Sequence, residues 1–180
     1  MKKSFKLILF IPLFVLFIQS SCKKDNLPPE TATGANTFGC KVNGVIYTPS
    51  GGDASVGFYS VRGGWFLSGS DRGLCIRTVS GNTKFIDIYI KKLDTIGIYK
   101  LNSNTQFFPN AVYAESYGYY AIKTNGTYSN FVTNATYTGW VNVKQILPGG
   151  IIAGTFEFTA YNKQTGETVT ITDGRFDVKN

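Results

Sequence analysis

The chain has 180 residues, with 18 lysines and arginines, 11 aspartates and glutamates, and no histidine. The lack of histidine excludes Ser-His-Asp and Cys-His nucleophile pairs and most zinc or copper sites, and no cofactor is expected. Three basic residues lie in the first 21 positions, so the net charge falls from +7 for the whole chain to +4 for the remainder. The other basic residues are scattered rather than clustered, which argues against nucleic-acid binding.

The first 22 residues have the three parts of a secretory signal peptide. Lys2, Lys3 and Lys6 make a basic start, and residues 7–18 form an uncharged, mostly apolar run. This run is too short to cross a hydrocarbon core about 30 Å thick, which needs about 20 residues. A basic start, a short apolar run and small residues before the cut predict a cleaved export signal rather than a membrane span.

The end of this segment resembles the lipobox of bacterial lipoproteins, in which a peptidase cuts before a cysteine that is then lipidated. Ser20-Ser21-Cys22 fits the pattern, whereas Gln19 stands where Leu is usual. The resemblance implies that residues 1–21 are removed and that an acylated Cys22 attaches the chain to a membrane of the cell envelope. More than one acyl chain is needed for stable anchoring. We expect an outer-membrane lipoprotein that faces the periplasm or the exterior.

Residues 22–36 are polar, contain Pro28-Pro29 and show no apolar periodicity, which predicts a flexible tether after the lipidated cysteine. The folded domain is expected over residues 37–180. Apolar residues alternate with others from Phe38 to Val42, and Asn43-Gly44 is a strong signal for a hairpin turn.

Short strand-like runs recur along the rest of the chain, separated by turn residues such as Gly63-Gly64. In chain order they cover residues 45–47, 56–61, 65–67, 74–79, 85–90, 98–101, 112–114, 117–122, 137–143, 151–161 and 168–178. No stretch keeps the helical period of 3.6 residues. About ten short strands at this spacing predict a single all-β domain, an antiparallel β-sandwich or a barrel-like fold.

The alternation also predicts which strand faces are buried. The expected core face comprises Ile86, Ile88, Ile90, Val141, Val143, Ile152, Phe156, Phe158, Ala160, Val169 and Ile171. The opposite face of the same strands carries Asp87, Thr155, Glu157 and Thr159. Burying each Phe or Ile contributes roughly 1.5–3 kcal/mol, so these positions matter first for folding.

Beyond the lipobox, the cysteines are Cys40 and Cys75. Export places them in an oxidising compartment, which predicts a Cys40–Cys75 disulfide rather than a metal site. The alternative is two separately buried thiols.

Aromatic residues are dense between positions 107 and 128, where asparagine, serine, glycine and a proline also occur. The candidate binding residues are Phe107, Phe108, Tyr113, Tyr117, Tyr119, Tyr120 and Tyr128. Exposed rings of this kind stack on sugars or anchor a protein partner. Tyr119 and Tyr120 must point to opposite faces of a strand, so one of them is expected to lie outward. The alternative is that the rings fill the core.

Two shorter motifs carry polar groups. Asp173 and Asp177 suggest a calcium or carbohydrate site, but two carboxylates fall far short of the six to eight oxygen ligands of calcium. An Asp-Gly bulge at Asp173-Gly174 is the favoured interpretation. Asp94-Thr95-Ile96 resembles a three-residue O-glycosylation signal of Bacteroidota envelope proteins.

Both ends of the domain resemble an uncharacterised lipoprotein family of Bacteroidota. The resemblance is carried by TFGCKVNG at Thr37–Gly44, GTFEF at Gly154–Phe158 and ITDGRFD at Ile171–Asp177. It implies an envelope location and an all-β fold. It implies no activity and transfers no catalytic residue.

The leading hypothesis is therefore a non-enzymatic envelope lipoprotein that binds a glycan or another envelope protein. The first alternative is a structural or assembly component without a small ligand, which an unpaired strand edge would favour. The second is a hydrolase using paired carboxylates, for which the chain offers Glu115, Glu157, Glu167 and several aspartates.

Overall fold

Antiparallel strands account for the regular structure of this chain. The computed structural model describes residues 26–52, 59–68, 71–103 and 115–180. Within these ranges the strands are β1 (Thr37–Val42), β2 (Val45–Tyr47), β3 (Val61–Ser68), β4 (Asp71–Ser80), β5 (Lys84–Ile90), β6 (Gly97–Leu101), β7 (Tyr117–Thr124), β8 (Thr127–Val132), β9 (Gly139–Leu147), β10 (Ile151–Tyr161) and β11 (Thr168–Lys179). The all-β prediction is confirmed.

The eleven strands form one curled sheet with the shape of a half-barrel. The main path is β2-β1-β11-β10-β8-β7-β5-β4-β3. β10 pairs with β11 along one edge, and along the other edge it pairs first with β9 and then, at Tyr161, with Val132 of β8. β6 adds to the far side of β9. The sheet therefore branches at β10.

The concave side of the sheet holds the main hydrophobic core. It includes all the residues predicted for the core face, joined by Phe38, Cys40, Leu74, Leu101, Tyr120, Phe176 and others. The convex side has two parts. We call the outer side of β1, β6, β9, β10 and β11 the front surface, and the outer side of β3, β4, β5, β7 and β8 the back surface. The back surface carries a second, smaller cluster of buried aromatic residues.

Gly63-Gly64 is not a turn, because both glycines lie inside β3. Because Gly63 has no side chain, β3 can lie close to β11 where the curled sheet brings these two strands together. A Cβ at Gly63 would stand 2.7 Å from Cβ of Val178, which is too close without movement. The prediction of two strands here was wrong because a glycine pair can also mark close approach of two backbones.

Strand β8 was missed in the sequence although its turn is a clear hairpin signal. Asn125 and Gly126 both have positive φ, 50° and 82°, as a type I′ turn requires. Asn43 and Gly44 form the predicted turn in the same way, with φ of 48° and 79°. The predicted runs at 56–58 and 112–114 lie outside the described residues.

The predicted Cys40–Cys75 disulfide is wrong, since both thiols are free. Cys40 belongs to the main core, whereas Cys75 packs against the cluster on the back surface. Leu74 and Ile76 take the core positions of β4, so Cys75 must point the other way. β1 and β4 are also not neighbours in the sheet.

The tether prediction is wrong for residues 26–36, which we call the strap. The strap lies on the front surface, where Asp177 of β11 is completely buried beneath it. One oxygen of Asp177 accepts hydrogen bonds from the hydroxyl of Thr31 and from the N–H and hydroxyl of Thr33, and the other accepts from the N–H of Gly34. A polar sequence without periodicity can thus be ordered by one buried acceptor.

The closure of the curl can be tested at the two adjacent glycines. We expect Gly63→Ala to lower the free energy of unfolding by about 1–3 kcal/mol, because its methyl group overpacks against the side chain of Val178. Gly64→Ala is the matched control, since its methyl group would meet the far end of the exposed side chain of Asn180, which can move. Urea denaturation of the two variants measures the difference, and equal losses would contradict the proposed close approach.

Candidate functional site

The aromatic stretch chosen from the sequence is largely core. Tyr117, Tyr119 and Tyr120 are buried, with exposed fractions of 1%, 8% and 3%. Tyr128 is half-buried and packs against Phe85. Phe107, Phe108 and Tyr113 lie outside the described residues. The prediction of an exposed binding patch is therefore wrong for three of the four rings that can be placed.

The reason lies in the two-sided burial of β7. Tyr119 and Tyr120 do point to opposite faces, as alternation requires. Tyr120 enters the main core beside Phe131, while Tyr119 belongs to the cluster on the back surface with Tyr117 and Tyr89. The rings of Tyr89 and Tyr117 stack at 5.3 Å. Alternation alone could not show that the second face is also covered.

The back surface contains a buried polar group among these rings. Asp87 of β5 is 5% exposed, and Nε of Arg77 lies 3.5 Å from one of its carboxylate oxygens. Burial raises the pKa of Asp87 to about 7, although the positive charge of Arg77 opposes this rise. Burial also raises the pKa of the Cys75 thiol, to about 11. Neither group is thus a strong nucleophile or a fully charged carboxylate at neutral pH.

The front surface presents a different set of groups. An open depression of about 240 Å³ lies across β9, β10 and β11. Its polar and aromatic lining comprises Thr138, Trp140, Glu157, Thr159, Thr170 and Thr172. Strand alternation creates it, because the intervening residues Val141 and Phe158 point into the main core.

Trp140 occupies the middle of a row across three strands. Its register partner on β6 is Lys100 and its register partner on β10 is Glu157. Trp140 is half-buried, and within the described part of the chain its ring stacks on no other ring. Trp65, by contrast, lies against the core and has the guanidinium of Arg72 at 4.0 Å. The ring of Trp140 is therefore available for contact.

The polar groups around Trp140 are similarly unengaged. In the described ranges, no hydrogen bond or ion pair is formed by the Glu157 carboxylate, the Lys100 ammonium group or the hydroxyls of the four lining threonines. Elsewhere on the front surface two ion pairs are formed, Lys41 with Asp173 at 2.8 Å and Lys144 with Glu30. The depression thus combines an unstacked ring with free donors and acceptors.

This site was missed although the sequence contained its signal. The predicted strand at 137–143 had Val141 and Val143 on its core face, and the same alternation points Trp140 outward. The denser aromatic stretch at 107–128 is a misleading indicator, because its described rings pack on two faces of the sheet. An isolated aromatic residue at an outward strand position was the better indicator.

The remaining sequence candidates do not form a site. Asp173 has φ of 53° at a bulge between β11 and its neighbours, which confirms the favoured interpretation of this motif. Asp177 is occupied by the strap, and no group of three potential metal ligands occurs among the residues that can be described. Thr95 is exposed just before β6. No helix in the described ranges is long and apolar enough to cross a membrane.

The buried carboxyl of Asp87 predicts an unusual pH dependence of stability. Its folded pKa of about 7 lies above the unfolded value near 4, so the folded protein binds the proton more tightly. The contribution of Asp87 to stability is therefore largest at low pH, and it should fall by about 2–3 kcal/mol between about pH 5 and about pH 8. The chain has no histidine to obscure this change.

Thermal unfolding across this pH range measures the effect. We expect Asp87→Asn to flatten the dependence, while Asp94→Asn, at an exposed position, leaves it unchanged. A profile with the same slope in the Asp87→Asn variant would assign the pH dependence to another group.

Comparison with known proteins identifies the family without an activity. No curated protein and no solved structure matches the chain. A family model described as a domain of unknown function, DUF6252, matches residues 67–178, from the end of β3 to the penultimate residue of β11. The matched part includes the whole depression and Asp87. The chain belongs to the DUF6252 family.

Proposed function

We propose that the protein is an exported, lipid-anchored component of the cell envelope whose β domain is a non-catalytic binding module for a glycan. One observation carries the binding role: within the described residues, the ring of Trp140 stacks on no other ring and stands between Lys100 and Glu157, beside four threonine hydroxyls that make no hydrogen bond. The signal peptide and the lipobox-like Ser20-Ser21-Cys22 support the anchoring. Cys22 lies outside the described residues.

The chemistry of the depression suits a sugar. A pyranose ring offers an apolar face that packs on an aromatic ring, and its hydroxyls need donors and acceptors around the rim. Trp140 supplies the aromatic face, Glu157 supplies acceptors, and Lys100 supplies donors. The depression is open rather than enclosed, which suits one segment of a longer chain better than a small ligand held in a closed pocket.

The arrangement of carboxylates supports a binding role rather than hydrolysis. A glycosidase needs two carboxyl groups within about 10 Å of each other on either side of the bond. Asp87 is buried on the back surface and Asp177 lies under the strap, so these two carboxylates are on different surfaces. Glu157 is the one carboxylate among the residues lining the depression, and the carboxylate of Asp173, at the bulge opposite Glu157 on β11, is engaged in an ion pair with Lys41 at 2.8 Å.

A second candidate function rests on the edge of β6. Within the described residues β6 pairs with β9 alone, and the outward side chain of Ile98 on this strand is 71% exposed. An exposed strand edge with an apolar side chain can accept a strand from another protein. This feature favours a structural or assembly role, or an envelope protein as the partner.

Lipid anchoring can be tested directly. In the native host we expect mass spectrometry to find an acylated Cys22 as the first residue, and we expect Cys22→Ala to release the protein from membranes. Cys75→Ala is the matched control and should remain with the membrane fraction. An intact Met1, or a Cys22→Ala protein that still partitions with membranes, would refute the anchoring.

Glycan binding can be tested with the soluble domain, screened on a glycan array and followed by titration calorimetry. We expect Trp140→Ala to weaken the binding found by about tenfold or more, since truncating a central aromatic contact costs about 2 kcal/mol. Tyr128→Ala, on the back surface, should leave affinity unchanged. Both variants should keep the parent melting temperature within a few degrees. Affinity that survives Trp140→Ala would favour the edge of β6 as the functional surface.

A further inference from the structure

The strap fixes the point at which the chain leaves the domain. Besides the four hydrogen bonds to Asp177, the guanidinium of Arg175 donates to the carbonyl oxygen of Pro28 at 3.2 Å. Leu27 is 6% exposed, and Leu27 and Pro28 pack on the backbone of Gly39, where a Cβ would stand 2.5 Å from Cδ of Pro28. The strap is therefore attached to the front surface as far as its first residues.

The remaining connection to the lipidated cysteine is short. Cys22 precedes Asn26 by four residues, and four residues span at most about 14 Å even when fully extended. A free tether from Cys22 to Thr37 would instead reach about 50 Å. Because the strap is bound, an anchor on Cys22 holds Asn26 and the surface around it close to the membrane.

The depression lies near this point of attachment. Arg175 pairs with Thr155, and Thr155 pairs with Asn142, two residues from Trp140. Arg175 and Trp140 are separated by two steps between neighbouring strands and by two residues along β9. This separation corresponds to a distance of about 12 Å. The point of attachment and Trp140 therefore lie on the same surface of the domain, the front surface.

The side chains on the far part of the front surface suit a lipid interface. Ile98 and Lys100 share one face of β6 and lie beside Asn142 and Trp140 of β9. Tryptophan prefers the level of lipid headgroups, an exposed aliphatic residue can enter the acyl boundary, and a lysine extends its ammonium group back to the phosphates. The strap lies at one side of the surface and this trio lies at the other.

We propose that the strap holds the front surface against the membrane that carries the anchor, with the lipid headgroup layer as its occupant. The proposal rests on the lipid anchoring of the proposed function and deepens it. A glycan bound in the depression is then one displayed at that membrane surface, rather than one reached at a distance on a flexible tether.

Fluorescence quenching tests the proposal, because Trp65 and Trp140 are the two tryptophans of the chain. The full acylated protein is reconstituted into phosphatidylcholine vesicles that contain a lipid spin-labelled at its headgroup. Trp65→Phe leaves Trp140 as the reporter, and Trp140→Phe leaves Trp65, which packs against the core, as the control. We expect quenching of Trp140 to exceed that of Trp65 at least twofold.

The role of the strap is tested by lengthening the connection without touching the fold. A flexible Gly-Ser spacer of about 20 residues inserted between Asp25 and Asn26 adds roughly 25 Å of average reach. We expect the spacer to reduce quenching of Trp140 to the level of Trp65, while vesicle flotation stays complete.

Equal quenching of the two tryptophans in vesicle-bound protein would overturn the proposal, and so would quenching of Trp140 that the spacer leaves unchanged. The mass of the N-terminal peptide is measured on the same samples. A chain without an acyl group on Cys22 refutes the anchoring itself, whereas an acylated, vesicle-bound chain with unquenched Trp140 refutes only the orientation.

Discussion

The pairing of β10 is the constraint on which the rest of the structure depends. This strand of eleven residues pairs with β11 along one edge and must share its other edge between β9 and β8. A single curled sheet therefore divides into two parts, each with its own convex surface. Phe156, Phe158 and Ile152 on the concave side of β10 join the core residues of both parts. The front and back surfaces consequently differ in chemistry although they belong to one sheet.

Two buried aspartates show how the surroundings of the same residue type decide its charge. Burial alone would raise the pKa of Asp177, but the hydrogen bonds from Thr33, Thr31 and Gly34 outweigh it and hold the pKa below its ordinary value. The pKa of Asp87 is raised to about 7, because burial outweighs one cation at 3.5 Å. Asp177 thus stabilises the fold as an anion, and this contribution is lost as the pH falls below about 4.

The difference between engaged and unengaged polar groups separates structure from candidate function in this protein. The carboxylate of Asp177, the ion pair of Lys41 with Asp173 and the hydrogen bond of Tyr119 to Asn130 all serve the fold. Around Trp140 the polar groups have no such partners within the described residues. Buried polar groups must be paired to offset the cost of leaving water, whereas exposed groups can remain available for a ligand. This contrast supports the proposal that the front surface binds a ligand.

The sequence by itself determined the fold class and the core faces of single strands, because a period of two residues is a local property of the chain. Ile152, Phe156, Phe158 and Ala160 are buried as the alternation predicted, and Asn43-Gly44 turns as its backbone preference requires. Only the tertiary structure decided which strands are buried on both faces, because the residues that cover the second face of a strand are distant from it in the chain. For this reason Tyr117 and Tyr119 are buried, Cys75 cannot meet Cys40, and the polar strap is ordered on Asp177. The strand order across β9, β10 and β6 likewise placed Trp140 between Glu157 and Lys100, residues 17 and 40 positions away, which no local pattern could bring together.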